Sequence, residues 1–242
     1  MFSKQWWFLL AVALCVSALT MRLGFWQLGR AEQKEAIHAQ QQAQLQAPPL
    51  LTSQLLDAPD VASSLYRPVQ LQGHWLGANT VFLANRSLQG QPGFLVLTPL
   101  VLQERTAVLV VRGWAQRDWV DSNKLPTIET PEGLVSVRGV WVSPPSHMME
   151  LAALPTQPSE ASGFISLRQN IDLDSYAKET GLRIVATVQQ TGEASEGLIR
   201  QAPSILLGSD KNRAYALQWF ALSLLCLGLF VWFQIIQKIK HG

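Results

Sequence analysis

The chain has 242 residues, 48% of them hydrophobic and only 15% charged, with a formal net charge of +2. That balance excludes the basic footprint of a nucleic-acid-binding protein. The length allows one large domain or a medium domain with attachments. The two cysteines, Cys15 and Cys226, lie in the apolar ends, so they cannot staple the middle of the chain and match no zinc or redox spacing. Tryptophan is abundant, and Trp6, Trp7, Trp26, Trp75, Trp219 and Trp232 are expected near membrane surfaces, where amphipathic rings concentrate.

The first apolar run, Trp6 to Met21, follows a short tail carrying Lys4. Val16-Ser-Ala18 resembles a small-residue cleavage site, so a signal peptide is the rival reading. The apolar pattern continues unbroken through Leu28, which favours a retained membrane helix over 6–28. No Arg- and Ser-rich leader precedes it, which points to a bacterial plasma membrane rather than an organelle. Arg22, Trp26 and Arg30 follow at four-residue spacing and share one helical face, with Gln27 and Lys34 on the adjoining face. Residues 29–47 are rich in Ala, Gln, Glu and Lys and predict a helical extension. It ends before Pro48-Pro49, which cannot continue a helix.

Residues 48–213 read as a β-rich domain. Strands are predicted over Tyr66–Trp75, Thr80–Asn85, Phe94–Leu102, Thr106–Trp114, Val135–Val142, Phe164–Asn170 and Arg183–Val188, from alternation and β-branched or aromatic enrichment. Gly73 suggests a bulge or a close backbone approach. Asp172 to Gly181, with an acidic start and a Gly stop, predicts a short capped helix. About seven short strands and one short helix imply a mainly antiparallel sheet, barrel-like or folded on itself.

Tyr215 to Ile236 is a second apolar run, long enough to cross a hydrocarbon core of about 30 Å as a helix. The span is placed at 214–236, with tails at 1–5 and 237–242. The fold class is therefore a membrane protein: two transmembrane α-helices flanking an extramembrane β domain. Two spans put both termini on one side, but counting Lys4, Lys238 and Lys240 against Arg22, Arg30, Lys34, Lys211 and Arg213 does not decide which side. On the second helix Asn212, Tyr215, Trp219 and Leu222 are spaced three, four and three apart and share a face. No nucleophile elbow, paired-carboxylate signature, P-loop or dinucleotide fingerprint occurs, so the chain is not expected to be an enzyme.

Several phrases resemble one family. Leu23-Gly-Phe-Trp-Gln-Leu-Gly-Arg30 with Lys34 is similar to the first-helix signature of the Surfeit locus protein 1 family. Tyr66-Arg-Pro-Val69 with Gly73, Asn85-Arg86 with Pro92-Gly93 and Thr98-Pro-Leu100, Val110-Val-Arg-Gly-Trp114, and Tyr215-Ala-Leu-Gln-Trp-Phe220 resemble its later blocks, in the same order. The resemblance implies an assembly factor for haem-copper cytochrome c oxidase in the bacterial inner membrane, with the main domain periplasmic. The implied partners are the oxidase catalytic subunit, other oxidase assembly factors and the lipid membrane. The implied cofactor is haem a, held transiently. Where family members ligate haem iron, the implicated residue is a histidine three positions before the tyrosine of the second helix. Here that position is Asn212, and asparagine is a poor iron ligand beside imidazole.

On this reading Asn212, Tyr215 and Trp219, with Gln218, form a surface for haem or an oxidase helix. The alternative is an interfacial aromatic anchor with a helix cap at Asn212. Arg22 and Arg30 suit propionates or head-group phosphates, with Trp26 between them for cation–π contact. Arg112-Gly-Trp114 and the turn of Asn85, Arg86 and Gly93 read as structural. His147-Met148-Met149 has the donor types of a Cu(I) site but is a lone cluster. Two further readings stand beside the assembly factor: a haem or copper carrier, and a scaffold that docks other assembly factors without touching haem.

Overall fold

The computed structural model describes residues 4–57, 65–119, 124–148, 164, 166–201 and 208–233. They fall into two compact units, Met1–Gln40 with Ile205–Gly242, and Gln41–Ser204. The first unit is helical. Helix α1 runs Lys4–Leu45 without a break, and α4 runs Ser209–Val231. Both are long and apolar enough to cross a membrane. Helix α1 stops short of Pro48 and Pro49, as a chain without an amide proton there must.

The second unit is a strand barrel with additions. Its elements are β1 (Leu50–Leu51), α2 (Thr52–Leu56), β2 (Pro68–Trp75), a 3-10 turn (Gly77–Asn79), β3 (Val81–Leu88), β4 (Gln91–Gln103), β5 (Thr106–Gln116), β6 (Leu134–Val142), β7 (Leu167–Arg168), α3 (Leu173–Thr180) and β8 (Arg183–Gln190). The sheet order is β1-β2-β6-β8-β5-β4-β3-β7, and β2 also pairs with β4. That last pairing, His74 with Val101 and Trp75 with Leu100, closes a ring of β2, β6, β8, β5 and β4. Gly73 sits where the ring closes. A Cβ there would collide with the Val101 carbonyl oxygen, so the predicted close backbone approach is real.

Period-two alternation sorts the apolar residues. Val69, Leu71, Val108, Val110, Val137, Trp141, Ala186 and Val188 point into the ring and form one core. The residues between them on β5, Leu109 and Val111, face outward. They join Val81, Leu83, Leu97, Phe164, Ile171 and Tyr176 in a second core. Each large side chain buried this way contributes about 1.5–3 kcal/mol, so β4 and β5, which serve both faces, organise the domain.

The structure adds detail to the sequence expectations. Helix α2 and strand β1 were unpredicted, being too short to show a period. The Phe164–Asn170 strand shrinks to Leu167–Arg168, because it pairs only with two residues of β3, in parallel. The sheet is mainly antiparallel, but β5 and β8 run parallel, which hydropathy cannot reveal. Trp75 ends β2, as the predicted strand has it, with the Arg112 guanidinium 4.8 Å from its ring centre.

Helix α3 begins and ends as its sequence indicates. The Asp172 carboxylate accepts from the Ser175 amide at 2.8 Å, and Gly181 ends the helix in the left-handed region. Hydrogen bonding to Ser175 holds the Asp172 carboxyl below its ordinary range. Its contribution to α3 is therefore complete above the ordinary carboxylate range and is lost as pH falls through the lowered value. Acidification should lower the protection of the Ser175 amide relative to its intrinsic exchange rate at the same pH, and Asp172→Asn, which keeps an acceptor, should remove that loss of protection.

Candidate functional site

In the helical unit, α1 and α4 meet along a repeating seam. Ser17, Thr20, Gly24 and Ala31 are the buried residues of α1, and Ser209, Ala216 and Ser223 those of α4. With the half-buried Gln27 of α1 and Asn212 and Trp219 of α4 included, intervals of three and four recur along both helices, a heptad seam whose positions can be lettered a and d. The residues are small, which lets backbones approach closely in an apolar medium that offers no hydrophobic drive. Ser17 and Ser223 pair through their hydroxyls at 2.6 Å, and the Ser223 hydroxyl also lies 3.0 Å from the Ser17 carbonyl. A Cβ at Gly24 would strike the Phe220 ring.

Polar residues continue the seam where the helices leave the apolar run. The Asn212 amide nitrogen donates to Gln27 Oε1 at 2.6 Å, and its Oδ1 accepts from Lys34 Nζ at 2.6 Å. Lys34 also donates to the Gly208 carbonyl at 3.3 Å. Both ends of the Asn212 amide are thus spent on α1. Gln27 and Lys34 face α4, whereas Arg22 and Trp26 do not.

The pair has two flanks, and they differ. In an antiparallel seam, e positions meet e positions and g positions meet g positions. One flank carries the Arg213–Glu35 ion pair at 2.9 Å and Phe25, 62% exposed, edge-on to Phe220, centroids 5.2 Å apart. On the other flank stand Arg30 and Trp26 of α1 and Tyr215 and Leu222 of α4. Trp26 is 57% exposed, Tyr215 53% and Leu222 43%. Ser17 opposite Ser223 sets the heights, so Trp26 and Tyr215 lie at about the same level, as do Arg22 and Gln218.

The structure therefore divides the sequence-predicted residues. Asn212 and the half-buried Trp219 lie in or beside the seam, while Tyr215 and Leu222 stand exposed on the second flank. Arg22 points away from α4, Trp26 sits between that direction and the flank, and Arg30 reaches the flank, its Nη1 donating to Gln33 at 3.2 Å. Among the described residues the cation–π contacts involve Arg112 and Arg168, not Trp26. Gln218 is exposed on the outer side of α4.

Elsewhere the motif residues hold one another. Arg112 is fully buried; it pairs with Glu196 at 3.1 Å and donates to Thr130 Oγ1 at 2.9 Å and to the Glu129 carbonyl. Trp114 Nε1 donates to the Arg86 carbonyl at 2.7 Å, and Gly93 leaves room for the Trp114 ring. Asn85 takes a left-handed backbone, φ 58°, at the irregularity between Leu83 and Arg86. Arg86 reaches the Ser146 carbonyl at 3.0 Å, and burial presses its guanidinium below the ordinary range. His147 and Met148 are exposed, and Asn170 bonds both the amide (2.7 Å) and the carbonyl (2.9 Å) of Met148. Met149 lies outside the described residues.

The sequence model described as the SURF1 family matches residues 14–224, from inside α1 to inside α4. The chain belongs to the SURF1 family. A SURF1-like protein of Rickettsia felis is 26% identical over 91% of this chain and 94% of its own length. An uncharacterised SURF1-like protein of Mycobacterium bovis is 27% identical over 96% of this chain and 86% of its own. The cytochrome oxidase assembly protein SHY1 of Saccharomyces cerevisiae is 28% identical over 51% of this chain and 32% of its own. The family match thus takes in both helices and the barrel together.

Sequence reasoning found the two stripes but missed the seam between them. Its signal was present: Ser17, Thr20, Gly24, Gln27, Ala31 and Lys34 alternate in steps of three and four, and five of the six are small or uncharged.

Proposed function

We propose that this SURF1-family protein is a non-catalytic assembly factor for a haem-copper cytochrome c oxidase. It lies in a bacterial inner membrane with its barrel in the periplasm and supports maturation of the catalytic subunit that receives haem a. The family match over residues 14–224 carries the reading. The yeast relative named as a cytochrome oxidase assembly protein gives it its direction. Two membrane-length helices with an exposed, partly aromatic flank suit a protein that receives others in the bilayer.

Asn212 does not fit a haem-ligating role. Its Oδ1 is held by Lys34 and its nitrogen by Gln27, and a neutral amide is a weak donor to iron beside imidazole. This observation favours a scaffold or docking chaperone over a haem carrier as the mode of action.

Deletion of the gene should lower the haem a absorbance of the oxidase in membrane spectra, and the wild-type gene should restore it. An oxidase with full haem a content in the deletion strain ends the assembly reading. Protein purified from cells making haem a should carry no stoichiometric haem band; retention of one through purification overturns the scaffold mode.

A further inference from the structure

We infer that Lys34 makes the seam of α1 selective for its partner. It lets the helix pair with α4 of its own chain and keeps it from pairing with α1 of a second copy. This goes beyond the assembly role and does not depend on it.

The small residues of the seam do not choose a partner by themselves. Ser17, Thr20, Gly24 and Ala31 are uncharged and buried against α4, and stripes of this kind join membrane helices wherever their backbones can approach. A competitor is always at hand. Two copies inserted the same way carry their α1 helices parallel, and in a parallel heptad pair each seam position meets itself. Ser17, Thr20, Gly24 and Ala31 fit that pair, and two Gln27 amides can bond each other. At its rim Arg30 of one copy would come beside Glu35 of the other, five residues on, the usual g-to-e pairing.

Lys34 opposes that homodimer. It lies seven residues after Gln27 and so repeats its seam position one heptad on. In the parallel pair two ammonium groups would meet there with no acceptor between them. A lysine at such a position sets the choice of partner at the expense of stability, and like charges brought together across an interface exclude the wrong one. Against α4 the same ammonium has two acceptors, Asn212 Oδ1 at 2.6 Å and the Gly208 carbonyl at 3.3 Å. Gln27 accepts from the Asn212 nitrogen at 2.6 Å, and Glu35 is taken by Arg213 at 2.9 Å. Gln27 and Glu35, which would support the homodimer, are thus both occupied by α4, and Lys34 is satisfied there.

The test uses the full chain, lacking Cys15 and Cys226, in the inner membrane of expressing bacteria, where every copy has one orientation. With Ser17→Cys alone, oxidation by copper phenanthroline reports α1–α1 contact as a disulfide-linked dimer. With Ser17→Cys and Ser223→Cys together, it reports the α1–α4 pair as an intramolecular disulfide. The chain with Lys34 should give little dimer, and Lys34→Met should raise it roughly tenfold, as expected when one like-charge contact leaves an interface. Asn212→Leu should lower the intramolecular disulfide yet leave the dimer scarce, because Lys34 still opposes it. When differently tagged Lys34 and Lys34→Glu chains are co-expressed, mixed dimers should far exceed the half share of random pairing. A dimer yield unchanged by Lys34→Met overturns the inference, and so does a random share of mixed dimers. A dimer yield raised as much by Asn212→Leu as by Lys34→Met also overturns it, since α4 would then protect the seam only by occupying it.

Discussion

Replacing Arg112 with methionine should destabilise the β domain by about 3 kcal/mol, near the lower end of the range for breaking a buried ion pair. The guanidinium is fully buried, 3.1 Å from Glu196 and 4.8 Å from the centre of the Trp75 ring, and it donates to Thr130 and the Glu129 carbonyl. Its removal strands those two acceptors. Glu196 is less exposed to loss, because Arg200 still reaches it at 2.8 Å, and this places the effect low in the range. Arg112→Lys should fall between, since an ammonium cannot reproduce the fork. Urea unfolding of the full chain in detergent, followed by tryptophan fluorescence, measures both. A methionine variant within about 0.5 kcal/mol of wild type, as at an ordinary surface site, would mean that desolvation cancels the ion pair.

The second large effect is expected in the helical unit. Gly24→Leu drives a side chain into the Phe220 ring, which is itself held edge-on by Phe25. Overpacking of this kind costs about 1–3 kcal/mol, so the paired population should fall roughly five- to hundredfold. Cysteines at positions 17 and 223, where the hydroxyls are 2.6 Å apart, report the pairing as disulfide yield in a background lacking Cys15 and Cys226. Gly24→Leu should abolish most of that yield, and adding Phe220→Ala should restore it by making room. Unchanged disulfide in the single variant would show that Gly24 does not set the approach.

Much of this was legible in the sequence. The long apolar runs gave the two helices; alternation placed strands such as β2, which buries every second residue, while β4 and β5, buried on both faces, showed as β-branched and aromatic runs. Asp172 and Gly181 marked both ends of α3 because their chemistry is local. What escaped depends on pairing between distant segments. The parallel contact of β5 with β8 and the ring-closing contact of β2 with β4 leave no periodic trace, although Gly73 hinted at the second. At the site, Asn212, Tyr215, Trp219 and Leu222 look like one face when α4 is considered alone. Once α1 is present the face splits, with Asn212 and Trp219 turned to the seam and Tyr215 and Leu222 left outside. Helical spacing defines a stripe; only the neighbouring helix determines which part of it is free.

The parallel pairing of β5 with β8 also has a bearing on the order in which the chain can mature. β5 ends at Gln116, and its partner spans Arg183–Gln190. During synthesis β5 therefore lacks one neighbour until most of the chain has been made, and β6 waits for the same strand. Such long-range closure is slow, and open strand edges invite proteases and non-specific association. Helix α4 begins at Ser209, soon after β8 ends, so barrel closure and helix pairing are both late events in biogenesis. A chain cut short before Arg183 yields a membrane-tethered, unclosed sheet, whereas one cut just after Gln190 has every strand of the ring but lacks Glu196, the partner of Arg112, as well as its second anchor.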